Sequence, residues 1–100
     1  MKGKRLSIDG LSLFYAENDI GNYRVGISVS KKLAKAVKRN KLRRRIRDCI
    51  GKALKDHTAG YDLVFMARRE LIDKGYEQVR LAVEKAIQKL AQRTRKPEGA

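Results

Sequence analysis

Cysteine is almost missing from this chain, which removes two architectures at once. Cys49 stands alone among 100 residues, so neither an intrachain disulfide nor a cysteine metal cage can form. Tryptophan is absent, and six aromatics in all leave a core to be built from Leu, Ile, Val and Ala. No apolar run approaches the roughly 18 residues of a membrane span. The start, Met1-Lys2-Gly3-Lys4-Arg5, lacks the apolar stretch of a secretion signal, so a cytoplasmic protein is expected. The one histidine, His57, lies in a polar turn beside Asp56, where a surface role is the simpler reading than acid–base work. Paired carboxylates spaced for two-metal chemistry are missing, and so are the Walker and dinucleotide glycine patterns. Catalysis by the polypeptide itself is therefore not expected, nor is a metal or cofactor bound by the protein alone.

Acidic residues are the scarcest group relative to their opposites. Eleven Asp and Glu face 25 Lys and Arg, giving a formal charge of +14 and a pI near 10.4. Such self-repulsion opposes compaction and calls for a polyanion as counterweight. Nucleic acid, an anionic membrane surface and an acidic protein are the candidates. An apolar fraction of 42% is still enough for a packed core, and the length fits one domain over residues 1–100.

Leu11, Leu13 and Tyr15 alternate with Ser12, Phe14 and Ala16, which predicts a strand. Residues 17–22 carry turn chemistry, and Val25, Ile27 and Val29 alternate again, so 11–30 is expected to form an antiparallel hairpin. An extra strand over residues 4–8 is left open. From residue 40 the period changes. Leu42, Ile46, Cys49, Ile50 and Ala53 share one helix face, in a helix expected to end between Asp56 and Gly60. Residues 61–67 form a short apolar run, the mark of a central strand covered on both faces. After the break at Asp73-Lys74-Gly75, the residues Tyr76, Val79, Val83, Ala86, Ile87 and Leu90 make the stripe of a long C-terminal helix. Its tail from about residue 93 is expected to fray. The order is strand, strand, helix, strand, helix: an α/β (α+β) two-layer sandwich with a small mixed sheet and a βαβ crossover.

Residues 31–47 hold ten Lys or Arg and no acid. At 100° per residue, Asn40, Arg43, Arg44 and Arg47 fall within about 100° of one another, roughly opposite the apolar stripe. Lys41 and Arg45 lie on the flank between them. Guanidinium forks bind phosphate oxygens in pairs and shed water more readily than ammonium does. Asp48 can pair with Arg44 or Lys52 at a spacing of four, but one acid cannot neutralise the face. A basic charge run is often just a solvated surface, and a membrane-lying helix is a further option. The phasing against the core and the missing acids favour RNA. Cys49, on the apolar stripe, reads as a small core residue.

The stretch from Arg24 through Ser30-Lys31-Lys32, Ala36-Val37, Arg39-Asn40-Lys41 and on to Arg47-Asp48 resembles the bacterial ribonuclease P protein subunit. Tyr61-Asp62-Leu63-Val64-Phe65-Met66-Ala67-Arg68 is similar to that family's later strand. The likeness runs over residues 3–92. It departs mildly at Lys41, where the family has Arg, and at Ala34, where Gly is frequent. The family's N-terminal helix, which carries aromatics and walls one side of a cleft, is expected to be absent ahead of Gly3. The resemblance implies a left-handed crossover and a non-catalytic subunit of a ribonucleoprotein endoribonuclease. Its partners would be the catalytic RNA, which uses Mg2+, and precursor tRNA, whose 5′ leader is removed. The family's motif positions carry over as Arg39, Asn40, Arg43, Arg44 and Arg47, and its aromatic cleft position as Phe14. The neighbouring Lys31, Lys32, Lys38 and Lys41 complete the expected RNA-binding set, and Ser12 and Ser28 the expected leader cleft on the sheet. Composition alone leaves a generic RNA-binding module, such as a small ribosomal protein, as the alternative.

Overall fold

The structure is a computed structural model that describes residues 3–55 and 60–94. In chain order its elements are β1 (Lys4–Ile8), β2 (Leu11–Glu17), β3 (Arg24–Val29), α1 (Ala36–Ala53), β4 (Tyr61–Ala67), the single turn α2 (Arg69–Ile72) and α3 (Tyr76–Thr94). His57 and the tail beyond residue 94 lie outside the described residues.

The four strands form one mixed sheet in the order β1-β2-β4-β3. β1 and β2 pair antiparallel from Lys4↔Tyr15 to Ile8↔Leu11. The link between them is Asp9-Gly10, both with positive φ (45° and 86°), the backbone that a tight two-residue hairpin turn demands. Residues 4–8 thus do form a strand. The expected hairpin over 11–30 does not form. β4 lies between β2 and β3, antiparallel to β2 and parallel to β3. The polar turn after β2 is instead tied to the start of β4, where the Asn18 N–H donates to the Gly60 carbonyl at 2.8 Å. β3, α1 and β4 make the βαβ unit that was expected.

Alternation decides which face of the sheet is covered. Leu6, Leu11, Leu13, Tyr15, Val29, Leu63, Phe65 and Ala67 point to one side and are buried against α1 and α3. Those helices contribute Leu42, Ile46, Cys49 and Ile50 from α1, and Val79, Ala82, Val83, Ala86, Ile87 and Leu90 from α3. The opposite side carries no helix among the described residues. β4 is therefore central in the sheet but covered on one face only, with Val64 and Met66 still 41% and 40% exposed.

α1 starts at Ala36, one turn before the change of period; that first turn left no apolar stripe to read because it is exposed, Val37 by 80%. Its last residue, Ala53, falls short of the expected stop. Tyr76 also departs from expectation. It opens α3 at the surface, where its hydroxyl donates to Asp48 at 3.2 Å.

Candidate nucleic-acid interface

The buried stripe Leu42, Ile46, Cys49 and Ile50 fixes the rotation of α1. That stripe lies in the core and is not available to lipid, which removes the membrane-helix reading of this segment. Burial is also what most raises the Cys49 thiol above its ordinary pKa, so it stays protonated and acts as a small packed side chain.

With the stripe pinned, the arginines take their places. Arg44, Arg47 and Asn40 are exposed, while Arg39 and Arg43 are half-buried at the edge of the face. Arg43 donates from Nη1 to the Asn40 side-chain oxygen at 3.3 Å, which joins the amide to the cluster. Among the described residues no carboxylate lies within ion-pair distance of Arg39, Arg43, Arg44 or Arg47. Asp48, the one acid in α1, goes to Lys52 at 3.2 Å and so leaves Arg44 unpaired. Lys38 differs from the other residues of the expected set. It is bound to Asp73 at 2.6 Å, so its charge is already partnered.

The start of α1 adds to the positive field. Lys35 at the N-cap is extended and offers no side-chain cap, and the first turn holds no acid. Free N–H groups, the positive end of the helix dipole and Arg39 therefore coincide, an arrangement that favours an anion. Lys31 and Lys32 sit just ahead, exposed in a turn where the Lys32 N–H donates to the Ser30 hydroxyl at 3.2 Å. Arg68 and Arg69 are exposed at the end of the parallel β3–β4 pair; Arg68 is paired with Glu70 at 3.8 Å, so Arg69 is the one that extends this basic corner. They were not expected as site residues, and their only sequence signal is a position just past the strand end.

The uncovered sheet face forms a second surface. Pairing aligns Arg5, Phe14, Val64 and Gly26 in one row across all four strands, and Ser7, Ser12, Met66 and Ser28 in the next. Phe14, Ser12 and Ser28 are thus brought together on the face away from the core. Phe14 is not a core residue: the Arg5 guanidinium carbon lies 5.8 Å from its ring centroid. Ser12 is the most enclosed of the three, within 3.4 Å of the Ser7 hydroxyl. At the far end of this face Asp62 accepts two hydrogen bonds from Arg24, both 2.7 Å, and one from the Asn18 amide at 2.8 Å.

An arginine helix at the edge of an open sheet matches known proteins along nearly the whole chain. The ribonuclease P family profile covers residues 1–91. The chain belongs to this family. Curated ribonuclease P protein components are similar to it: one from Clostridium botulinum is 40% identical over 89 residues, covering 88% of this chain and 80% of that protein. Another, from Pelotomaculum thermopropionicum, is 36% identical over 92 residues, covering 92% and 79%. The solved RNase P protein of Staphylococcus aureus superposes with a TM-score of 0.80 at 32% identity, over 88% of this chain and 81% of that one. As a ribonuclease P protein, the chain is a subunit of a ribonucleoprotein endoribonuclease of tRNA processing, and ribonuclease P RNA is its partner.

Proposed function

We propose that the outward face of α1 grips the sugar-phosphate backbone of the ribonuclease P RNA, while the open sheet face holds the 5′ leader of precursor tRNA. The observation that carries this reading is the unpaired arginine cluster, phased against a buried stripe on the same helix. Guanidinium groups crowded without acids repel one another in the free protein, and phosphates relieve that repulsion. The sheet face suits a single strand. Phe14 offers a stacking surface indifferent to base identity, the exposed Ser7 and Ser28 offer hydroxyls, and Arg5 offers charge, while Ser12 is buried between its neighbours. Hydrolysis of the phosphodiester is assigned to the RNA, with magnesium as the RNA's ion. The protein's part in metal use is then indirect: its cations screen phosphates that would otherwise require more magnesium.

Reconstitution tests the proposal. Adding the purified chain to a bacterial ribonuclease P RNA should lower the magnesium concentration needed to cleave precursor tRNA. An unchanged magnesium requirement would refute the arginine face as a phosphate-screening surface.

A further inference from the structure

The basic surface of α1 does not stop at the outward arginines. Lys38, Lys41 and Arg45 follow at spacings of three and four, so they line one flank of the helix, on the border opposite Arg43. Across from them runs the link between α2 and α3. The two segments enclose a notch of about 210 Å³ lined by Lys38, Lys41, Leu42, Arg45, Ile72, Asp73 and Lys74. Its charge is unbalanced, with four cations against one carboxylate. Lys38 is held by Asp73, but Lys41, Arg45 and Lys74 have no acidic partner among the described residues. Arg45 is half-buried, its stem lying along the flank of the helix with its charge at the notch. Asp73 is held more loosely, its side chain 80% exposed and tied by a single lysine. An exposed pair of this kind contributes little and is readily exchanged.

We propose that this notch is a second anion site, which takes a phosphate group of the RNA backbone between Arg45, Lys41 and Lys74. The inference rests on the reading of α1 as an RNA-binding helix and adds a separate contact to it. Asp73 is the built-in competitor: it holds Lys38 in place when the notch is empty and yields it when phosphate arrives. Lys41 adjoins Arg44 around the helix, so an RNA strand crossing the outward face can continue into the notch. α1 is then gripped on two sides. Lys74 supplies a donor from outside α1, which fixes the RNA relative to the α2–α3 corner as well as to that helix.

Inorganic pyrophosphate is the probe, titrated into the full chain while backbone amide shifts are followed by NMR. Saturable shifts at Leu42, Ile72 and Lys74 are expected. They should vanish in the Arg45→Gln/Lys74→Gln double variant and persist in an Arg43→Gln/Arg44→Gln/Arg47→Gln triple variant. Asp73→Asn, which removes the competitor, should tighten pyrophosphate binding by about threefold, the scale of one exposed charge interaction. Shifts that survive the double variant, or an Asp73→Asn protein that binds no better, would overturn the site. With ribonuclease P RNA, the double variant should lower the slope of log affinity against log salt by roughly 0.7–0.9 for each phosphate it no longer neutralises. A triple variant that loses slope beside a double variant that does not would refute the notch as an RNA-binding site and leave the outward face standing. If neither variant loses slope, the reading of α1 itself fails.

Discussion

Arg5 and Phe14 face each other across the β1–β2 pair, with the guanidinium carbon 5.8 Å from the ring centroid. The contact keeps an aromatic ring available on the open sheet face without driving it into the core. A leader base can stack on this ring by sharing it with Arg5 or displacing it. Phe14→Ala is predicted to weaken binding of leader-bearing precursor tRNA by the worth of one stacked base, about 1–3 kcal/mol, with far less effect on mature tRNA. Paired affinity measurements on the two RNAs check this. Equal losses on both would make Phe14 a structural residue.

The outward arginines make a different prediction, because binding to phosphate is sequence-blind and salt-sensitive. Arg43→Gln/Arg44→Gln/Arg47→Gln should weaken ribonuclease P RNA binding at low salt and flatten its salt dependence by roughly 0.7–0.9 per phosphate left without its arginine. Thermal stability should barely fall, since these side chains have no ion-pair partner to lose among the described residues. Fluorescence titration at several salt concentrations, alongside a melting curve, separates the two effects. A steep slope retained by the variant would exclude the face as the RNA-binding surface.

The helix and the placement of its arginines were legible in the sequence because both depend on local spacing. Leu42, Ile46 and Cys49 announce a buried stripe, and that stripe alone dictates where Arg43, Arg44 and Arg47 point. Strand partnership is not local, which is why the expected hairpin over 11–30 failed. Turn residues after β2 show that the chain reverses, but not whether it lands beside β2 or one strand further on. Here the reversal spans β4, and Asn18 is packed so closely on Gly60 that a Cβ there would lie 2.8 Å from the Asn18 carbonyl oxygen. The Asp9-Gly10 pair, by contrast, was a readable sign of the β1–β2 hairpin. Val64 and Met66 misled in the other direction. An apolar run looks doubly covered when the surface it leaves open is itself apolar. Lys74 and Asp73 could not have been placed at all, since only the docking of the α2–α3 link brings them to α1.

Asp62 supplies a prediction in pH. The hydrogen bonds from Arg24, and then from Asn18, lower its pKa from 3.8 to about 2. A carboxyl depressed on folding adds stability above its unfolded pKa and loses it as pH falls through the folded one. The advantage of the native chain over Asp62→Asn should therefore be constant above about pH 5, shrink between roughly pH 4 and 2, and disappear below. Arg24 is largely exposed and Asp62 partly so, which keeps the increment modest and lets salt weaken it. Urea unfolding of the two proteins from pH 2 to 7 measures it. A difference that stays level down to pH 2 would show that the clamp contributes nothing through charge.

Gly10 and Gly21 allow backbone strain to be separated from crowding. Both have positive φ, 86° and 76°. At either, alanine incurs the left-handed penalty of roughly 1–2 kcal/mol. Only Gly10 is hemmed in, since a Cβ there would lie 3.1 Å from both the Glu70 Cβ and the Leu71 nitrogen. Its carbonyl also accepts the Arg68 N–H at 2.8 Å, which pins the β1–β2 turn to the corner where β4 enters α2. Gly21→Ala is predicted to show the conformational penalty alone, and Gly10→Ala to exceed it because α2 must shift away. Chemical denaturation of the two variants gives the comparison. Equal losses would mean that α2 yields freely and that the corner carrying Arg68 and Arg69 is not held by this turn.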